Sequence, residues 1–373
     1  MSFPAHAPGR RRTVSGCLFG LLALLLSSAG VAAPLPYLYG ADVSALPVFE
    51  QNGAVYKSAD GEPGDALALL HEAGVNVFRL RLFVDPNHEG IVTNDLDYTI
   101  ALAKRAKATG AALLLDLHYS DTWADPAKQY TPEAWEDLPL GALEDTVEAY
   151  TREVMERFIA ADVAPEWVQL GNEITNGMLW PIGRVEFAEA DDTAAWDRLG
   201  ALQRAAHRGF AAAFEGRLLP RKILHIESTG NVERTRWYLQ NAQAQHVPFD
   251  VIGFSYYPEW HGTLDDLQQT LNAAARQTCL PVMVVETAYP WKPDAHWQDV
   301  KDLAWPLTPQ GQHDFLEAVD AAVHAVPDDL GRGVMWWHPE SVQTWGLHAW
   351  LGGSCALFDD EGRLLPAASA LQP

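Results

Sequence analysis

The chain has 373 residues and a formal net charge of −23, from 49 acidic and 26 basic side chains. That imbalance argues against nucleic acid or an anionic membrane as partner, since both would repel it. A neutral polymer is compatible, whereas a polyanionic substrate would need a local basic groove.

Residues 1–33 read as a secretory signal. Arg10, Arg11 and Arg12 precede the apolar run Cys17–Leu26, and Val31-Ala32-Ala33 offers the small residues of a cleavage site. The run is too short to span a bilayer, and no later stretch could anchor the chain. The expected mature domain is therefore residues 34–373, secreted to the periplasm or beyond. Losing three arginines takes its charge from −23 to −26. Cys17 falls in the leader. Cys279 and Cys355 could pair in an oxidising compartment, but two cysteines are weak grounds for a bridge.

Beyond the leader, short apolar runs alternate with longer amphipathic stretches. Strands are expected at Tyr37–Val43, Val75–Leu82, Ala111–Leu117, Trp167–Gly171, Lys222–Ile226, Asp250–Tyr256, Pro281–Val285 and Gly333–Trp337. Helical patterns lie at Gly64–Ala73, Leu96–Thr109, Ala142–Ala161, Thr193–Phe214, Leu264–Arg276 and Gln310–Ala325. Eight strands with helices between them suggest an α/β fold, a single (β/α)8 TIM barrel. A doubly wound sheet is the alternative. No glycine-rich phosphate loop follows a strand, which argues against its dinucleotide-binding form. The long loops Ser120–Leu140 and Trp291–Leu307 follow strand ends, where barrels build their sites.

Two apolar runs end in a carboxylic acid. Trp167-Val168-Gln169-Leu170-Gly171-Asn172 leads into Glu173, and Val282-Met283-Val284-Val285 leads into Glu286. A strand-terminal glutamate alone is often a salt-bridge partner or a cap. Two of them at the mouth of a core are costly unless paired or used. They fit a retaining glycosidase, in which one carboxyl protonates the leaving oxygen and the other attacks the sugar carbon, about 5 Å apart. Arg79 and Arg81 alternate on the second strand, so both point the same way and could hold a carboxylate ionised. Asp116 and His118 end the third strand with no third metal ligand at a recognisable spacing, so a hydrogen-bonded network around a sugar is expected. The sixth strand ends in Ser255-Tyr256-Tyr257-Pro258-Glu259-Trp260-His261-Gly262. Trp123, Trp180, Trp260, Trp291 and Trp337 fall in loops, where their faces could stack on sugar rings. No Gly-x-Ser-x-Gly elbow supports a nucleophilic serine.

These residues resemble family 53 of the glycoside hydrolases, the arabinogalactan endo-β-1,4-galactanases. The resemblance runs through Gly40-Ala41-Asp42-Val43-Ser44, Asn76–Pro86, the loop signature His118–Gln129 containing Trp123 and Asp125, Gly171–Pro181, Tyr256–Gly262 and Glu286–Trp291. It implies a retaining barrel with Glu173 as acid/base and Glu286 as nucleophile, Arg79 beside the nucleophile and Asn172 on the sugar 2-hydroxyl. The substrate implied is β-1,4-galactan, the neutral side chain of pectin. The sugar-contacting set expected is Asp42, Arg79, Arg81, His118, Trp123, Asp125, Asn172, Tyr256, Trp260, His261, Trp291 and Trp337. A β-mannanase or cellulase on the same barrel would carry the same acids. A non-catalytic sugar-binding barrel would have little need of both acids with Asn172 and Arg79.

The chain departs from the family pattern twice. The family reads Trp-Glu-Pro at the eighth strand, and here Trp337-His338-Pro339 stands instead. Some relatives hold calcium between the loops after strands seven and eight. Of that site only Asp294, His296 and Ser354 remain as weak candidates. Calcium wants six to eight oxygens, so no cofactor is expected to be required and a structural calcium is expected to be lost or weak.

Overall fold

Runs rich in valine, isoleucine and leucine, too short to make a helical face, extend and pair. The computed structural model describes residues 35–189, 192–298, 300 and 303–372. Eight strands occur: β1 (Leu38–Asp42), β2 (Val77–Leu82), β3 (Ala112–Leu117), β4 (Trp167–Leu170), β5 (Arg221–Ile226), β6 (Val251–Tyr256), β7 (Val282–Thr287) and β8 (Gly331–Trp337). They lie parallel in chain order, and β8 closes on β1. The protein is the expected (β/α)8 barrel, with every strand end within two residues of its predicted place. The predicted secretory leader lies outside the described residues. Among those residues no helix is long and apolar enough to cross a membrane.

The helices are α1 (Leu46–Gln51), α2 (Ala66–Glu72), α3 (Leu96–Ala108), α4 (Leu140–Ala160), α5 (Thr193–Ala213), α6 (Val232–Ala244), α7 (Pro258–His261), α8 (Leu264–Thr278) and α9 (Pro309–His324). Local chemistry starts several of them. Asp65 caps α2 by accepting from the amides of Leu67 and Ala68, and Thr263 forms a reciprocal capping box with Asp266 at α8. Helix α6 was not expected. It buries Thr235, Tyr238, Leu239 and Ala242, a helical i, i+3, i+4, i+7 stripe diluted by glutamate and arginine. The short α1 and α7 were also not expected.

Alternation along each strand divides the core. Phe78, Leu80 and Leu82 of β2, with Leu113, Leu115 and Leu117 of β3, join the large hydrophobic cluster. Their neighbours Arg79, Arg81 and Asp116 are equally buried but belong to a polar layer inside the barrel. In register, Arg81 faces Asp116, Asp116 faces Gln169, and Ser255 faces Glu286. Cys279 is exposed and Cys355 buried, and both are free thiols, so the possible bridge between them does not form.

Candidate active site

Strand β4 ends in a sharp turn. Gly171 has φ +113, and a Cβ there would lie 2.8 Å from Ile174 Cγ2. Glu173 itself is left-handed, with φ 47 and ψ 47. A non-glycine residue there costs about 1 kcal/mol or more, a strain typical of functional positions. The turn delivers Glu173 to a cleft of about 780 Å³ at the carboxyl end of the barrel, and Glu286 enters the same cleft from β7. Arg79, Arg81, His118, Trp123, Asp125, Asn172, Tyr257, Trp260, His261 and Trp337 line it with them.

Arg79 organises the floor. Its guanidinium donates to Gln169 Oε1 (2.9 Å), Asp42 Oδ2 (2.7 Å), Asp116 Oδ2 (2.8 Å) and Asn172 Oδ1 (2.8 Å). It also pairs with Glu286 Oε1 at 2.7 Å. Burial opposes the charged arginine, but Asp116, Glu286 and Asp42 outweigh it and raise its pKa. Asp116 is fully buried, yet Arg79 and His118 hold its carboxyl below the usual range. His118 Nδ1 accepts from the Ala124 amide (3.1 Å), which leaves Nε2 to face Asp116 at 3.0 Å.

The two cleft acids sit in different fields. Burial pushes Glu286 up to about 7 against the pull of Arg79, and Tyr257 donates to its Oε2 at 3.1 Å. Among the described residues no cation contacts Glu173. Burial and then the charge of Glu286 raise its pKa well above the carboxylate range, opposed by the Ser255 hydroxyl at 2.5 Å. When the pair holds one proton, Glu173 carries it and Glu286 stays ionised beside Arg79. Two carboxyls pushed apart in this way can serve as acid and nucleophile.

Aromatic rings form a continuous wall. Trp123 contacts Trp337 (5.9 Å between centroids), Trp337 contacts Trp350 (4.5 Å), Trp350 contacts Tyr257 (5.9 Å) and Tyr257 contacts Trp260 (5.3 Å). Trp260 keeps 57% of its surface exposed, so a ring face is free for a ligand.

Most of the expected set converges, with three corrections. Asp42 is fully buried under Arg79, where it supports the cleft without lining it. Tyr256 faces the helix layer, stacked on Phe315 at 6.2 Å, because strand alternation turns Ser255 and Tyr257 inward instead. Trp291 stands outside the cleft lining, its indole donating to Gly353 O at 3.1 Å. Sequence reasoning missed His225, Gln169, Tyr257 and Glu227. Arg81 lies under Trp123, its guanidinium carbon 4.1 Å from the ring centroid, and donates to Asn94 Oδ1 and His338 Nε2. His338, in place of the family glutamate, is buried and held neutral by burial and by Arg81.

The remnant calcium residues do not fit a calcium ion. Ser354 Oγ accepts from the Trp297 indole (2.9 Å) and donates to Leu351 O (2.7 Å). His296 Nε2 meets Glu259 Oε2 at 2.6 Å, and Asp294 Oδ1 accepts from the His296 amide. Among the described residues, Asp294 with a committed hydroxyl and a committed imidazole falls far short of an oxygen cage.

The sequence model of glycosyl hydrolase family 53 matches residues 38–371. This chain belongs to that family. A probable arabinogalactan endo-β-1,4-galactanase A of Aspergillus terreus is 37% identical over 327 residues, covering 85% of this chain and 88% of the relative. The family 53 catalytic domain of Ignisphaera aggregans superposes with a TM-score of 0.81 at 30% identity, covering 91% of this chain and 97% of that one. A fungal β-1,4-galactanase structure superposes at 0.77 and 32% identity, covering 91% and 99%. As a family 53 member the protein is a glycoside hydrolase.

Proposed function

We propose that the protein is a retaining, endo-acting hydrolase of β-1,4-galactan, with Glu173 as acid/base and Glu286 as nucleophile. The observation that carries this reading is the pair of unlike carboxyls in one cleft. Glu286 is ion-paired to Arg79 and oriented by Tyr257, as an attacking carboxylate must be. Glu173 is desolvated without a cation, as a proton donor must be. Glu286 attacks the anomeric carbon while Glu173 gives its proton to the departing glycosidic oxygen. The glycosyl ester then forms, and the shortened sugar leaves. Glu173, now ionised, takes a proton from water as that water attacks the same carbon and releases Glu286. Asn172 Nδ2 donates to Ala124 O (2.8 Å) and retains a second hydrogen for the 2-hydroxyl.

The galactanases related to this chain support galactan as the substrate. The acidic surface supports a neutral polymer over a charged one. The chain works through its own carboxyls without a bound cofactor. Export follows from the basic-then-apolar leader, and the exported protein should begin after Ala33 by mass. Purified galactan, mannan and carboxymethylcellulose as parallel substrates test the reading. Release of oligosaccharides from galactan alone is expected. Preference for mannan or cellulose would transfer the same acids to another substrate, and no release from any would leave a binding protein.

A further inference from the structure

A chain of groups from the fifth and sixth strands reaches Glu173. His225 sits on β5, fully buried, and Ser255 sits on β6, also fully buried. Ser255 Oγ lies 2.5 Å from Glu173 Oε1, and His225 Nε2 lies 2.9 Å from Ser255 Oγ. The direction of these bonds depends on the tautomer of His225, which its surroundings decide. Gln169 cannot flip, because its Oε1 accepts from Arg79, so its Nε2 donates to His225 Nδ1 at 2.8 Å. The backbone amide of Glu173 donates to the same nitrogen at 3.3 Å. The opposite tautomer would strand the Glu173 amide and one of the two Gln169 amide hydrogens, the other being held by Asp116 Oδ1 at 3.1 Å. Its single gain would be a bond to Asn172 Oδ1 (3.0 Å), which already accepts from Arg79 and so does not depend on it. Nδ1 is therefore the acceptor, and the proton is on Nε2.

It follows that Nε2–H donates to Ser255 Oγ, and among the described residues Ser255 has only Glu173 left to donate to. We infer that Ser255, locked as a donor by His225, is a positioning residue for the acid/base. It holds Glu173 Oε1 as an acceptor and leaves Oε2 as the oxygen that gives up the proton and later regains it from water. The inference rests on reading Glu173 as the acid/base. In the first step the O–H bond at Oε2 breaks as the bond to the glycosidic oxygen forms. In the second, water loses a proton to Oε2 as its oxygen joins the anomeric carbon. Oε1 and the serine proton stay in place through both.

Other groups also act on Glu173. Glu286 faces it from β7, Glu227 from the end of β5 and Asp125 from the loop after β3. Glu227 is in turn 3.2 Å from Arg234, and Asp125 is 3.1 Å from Lys128. Tyr257 stands beside both cleft acids. All three acids favour the protonated carboxyl, and among the described residues Ser255 alone donates a hydrogen bond to it. Removing that donor should therefore raise the ionisation of Glu173 to higher pH.

The test is the pH dependence of kcat/KM on galacto-oligosaccharide for wild type, Ser255→Ala, Ser255→Thr and Glu173→Ala, each checked for folding by its melting temperature. Ser255→Ala should move the basic limb upward by about one unit and lower kcat about tenfold or more as the carboxyl loses its fixed orientation. Ser255→Thr, which keeps the hydroxyl, should restore the limb. A basic limb unmoved in Ser255→Ala would overturn the inference, however far kcat falls. Glu173→Ala isolates the underlying reading. If it keeps a wild-type bell on oligosaccharide, Glu173 is not the acid/base. If it loses the basic limb while Ser255→Ala does not shift it, only the role of Ser255 fails.

Discussion

Arg79 and Arg81 lie two residues apart on one strand, both 1% exposed, and their surroundings could hardly differ more. Arg79 meets three carboxylates at 2.7–2.8 Å, and its charge is reinforced. Arg81 has its nearest carboxylate, Asp42, at 3.9 Å, and otherwise meets an amide, a carbonyl, an imidazole and an indole face. Burial outweighs these partners and lowers its pKa. The difference shows where charge is matched and where it is tolerated. The Arg79 side pairs its charge with Glu286 at the cleft. The Arg81 side closes the cleft floor beneath Trp123, and there the family glutamate has given way to His338. Beside it, Glu340 is fully buried and accepts one bond, from the Ala45 amide, and burial pushes it up to about 8.

The largest effects should come from breaking the Arg79 side. Glu286→Ala should abolish turnover on every substrate, since no glycosyl ester can form. Azide should rescue it by giving a product of inverted configuration. Glu173→Ala should cost roughly 10²–10⁴-fold on galactan and much less on an aryl glycoside whose leaving group needs no proton. Equal losses on both substrates would reverse the assignments. Arg79→Met should cost about 3–5 kcal/mol in urea unfolding, because it strands Asp42, Asp116 and Glu286 without their cation.

The Arg81 side should respond in the opposite sense. His338→Glu gives Arg81 a charged acceptor in place of a neutral one and should stabilise the fold by roughly 1–3 kcal/mol. A loss of stability would mean that the imidazole is doing more than accepting one bond.

Glu340 adds a pH dependence. Its folded pKa of about 8 lies above the unfolded value of about 4.3. Its contribution is therefore fully present below about 4.3 and is lost as pH rises towards 8. Glu340→Gln lacks this titration, so its stability relative to wild type should improve between pH 5 and pH 8, by on the order of a few kcal/mol. A constant difference across that range would place the Glu340 pKa near its unfolded value. Smallest of all, a chelator should leave melting temperature and activity unchanged, since the Ser354 hydroxyl is committed to Trp297 and Leu351.

The parts of this contrast that could be read from sequence are those at strand ends. Glu173, Glu286 and Asn172 close apolar runs, and Arg79 and Arg81 interrupt one, so burial made them conspicuous. His225 and Ser255 each stand between apolar or aromatic neighbours in their strands, with no adjacent residue to suggest a partner. Their meaning depends on Gln169 and Glu173, which arrive from another strand. Tyr256 was expected in the cleft as the last residue of its strand, but the strand ends where expected and its alternation turns Ser255 and Tyr257 inward instead. Helix α6 was hidden because half of its buried stripe is polar or small. The differing fates of Arg79 and Arg81 were not legible from their spacing, and only the family resemblance set Arg79 beside Glu286. Equal spacing gives them equal direction, and only tertiary contacts give one its carboxylates.

The most direct measurement of the central claim is the anomeric configuration of the first product. Galacto-oligosaccharide hydrolysed in the NMR tube should give the β-anomer first, with the α-anomer rising only as mutarotation proceeds, as double displacement by the proposed pair Glu286 and Glu173 in one cleft requires. Initial release of the α-anomer would mean a single displacement by water, and Glu286 beside Arg79 would then be a base and not a nucleophile.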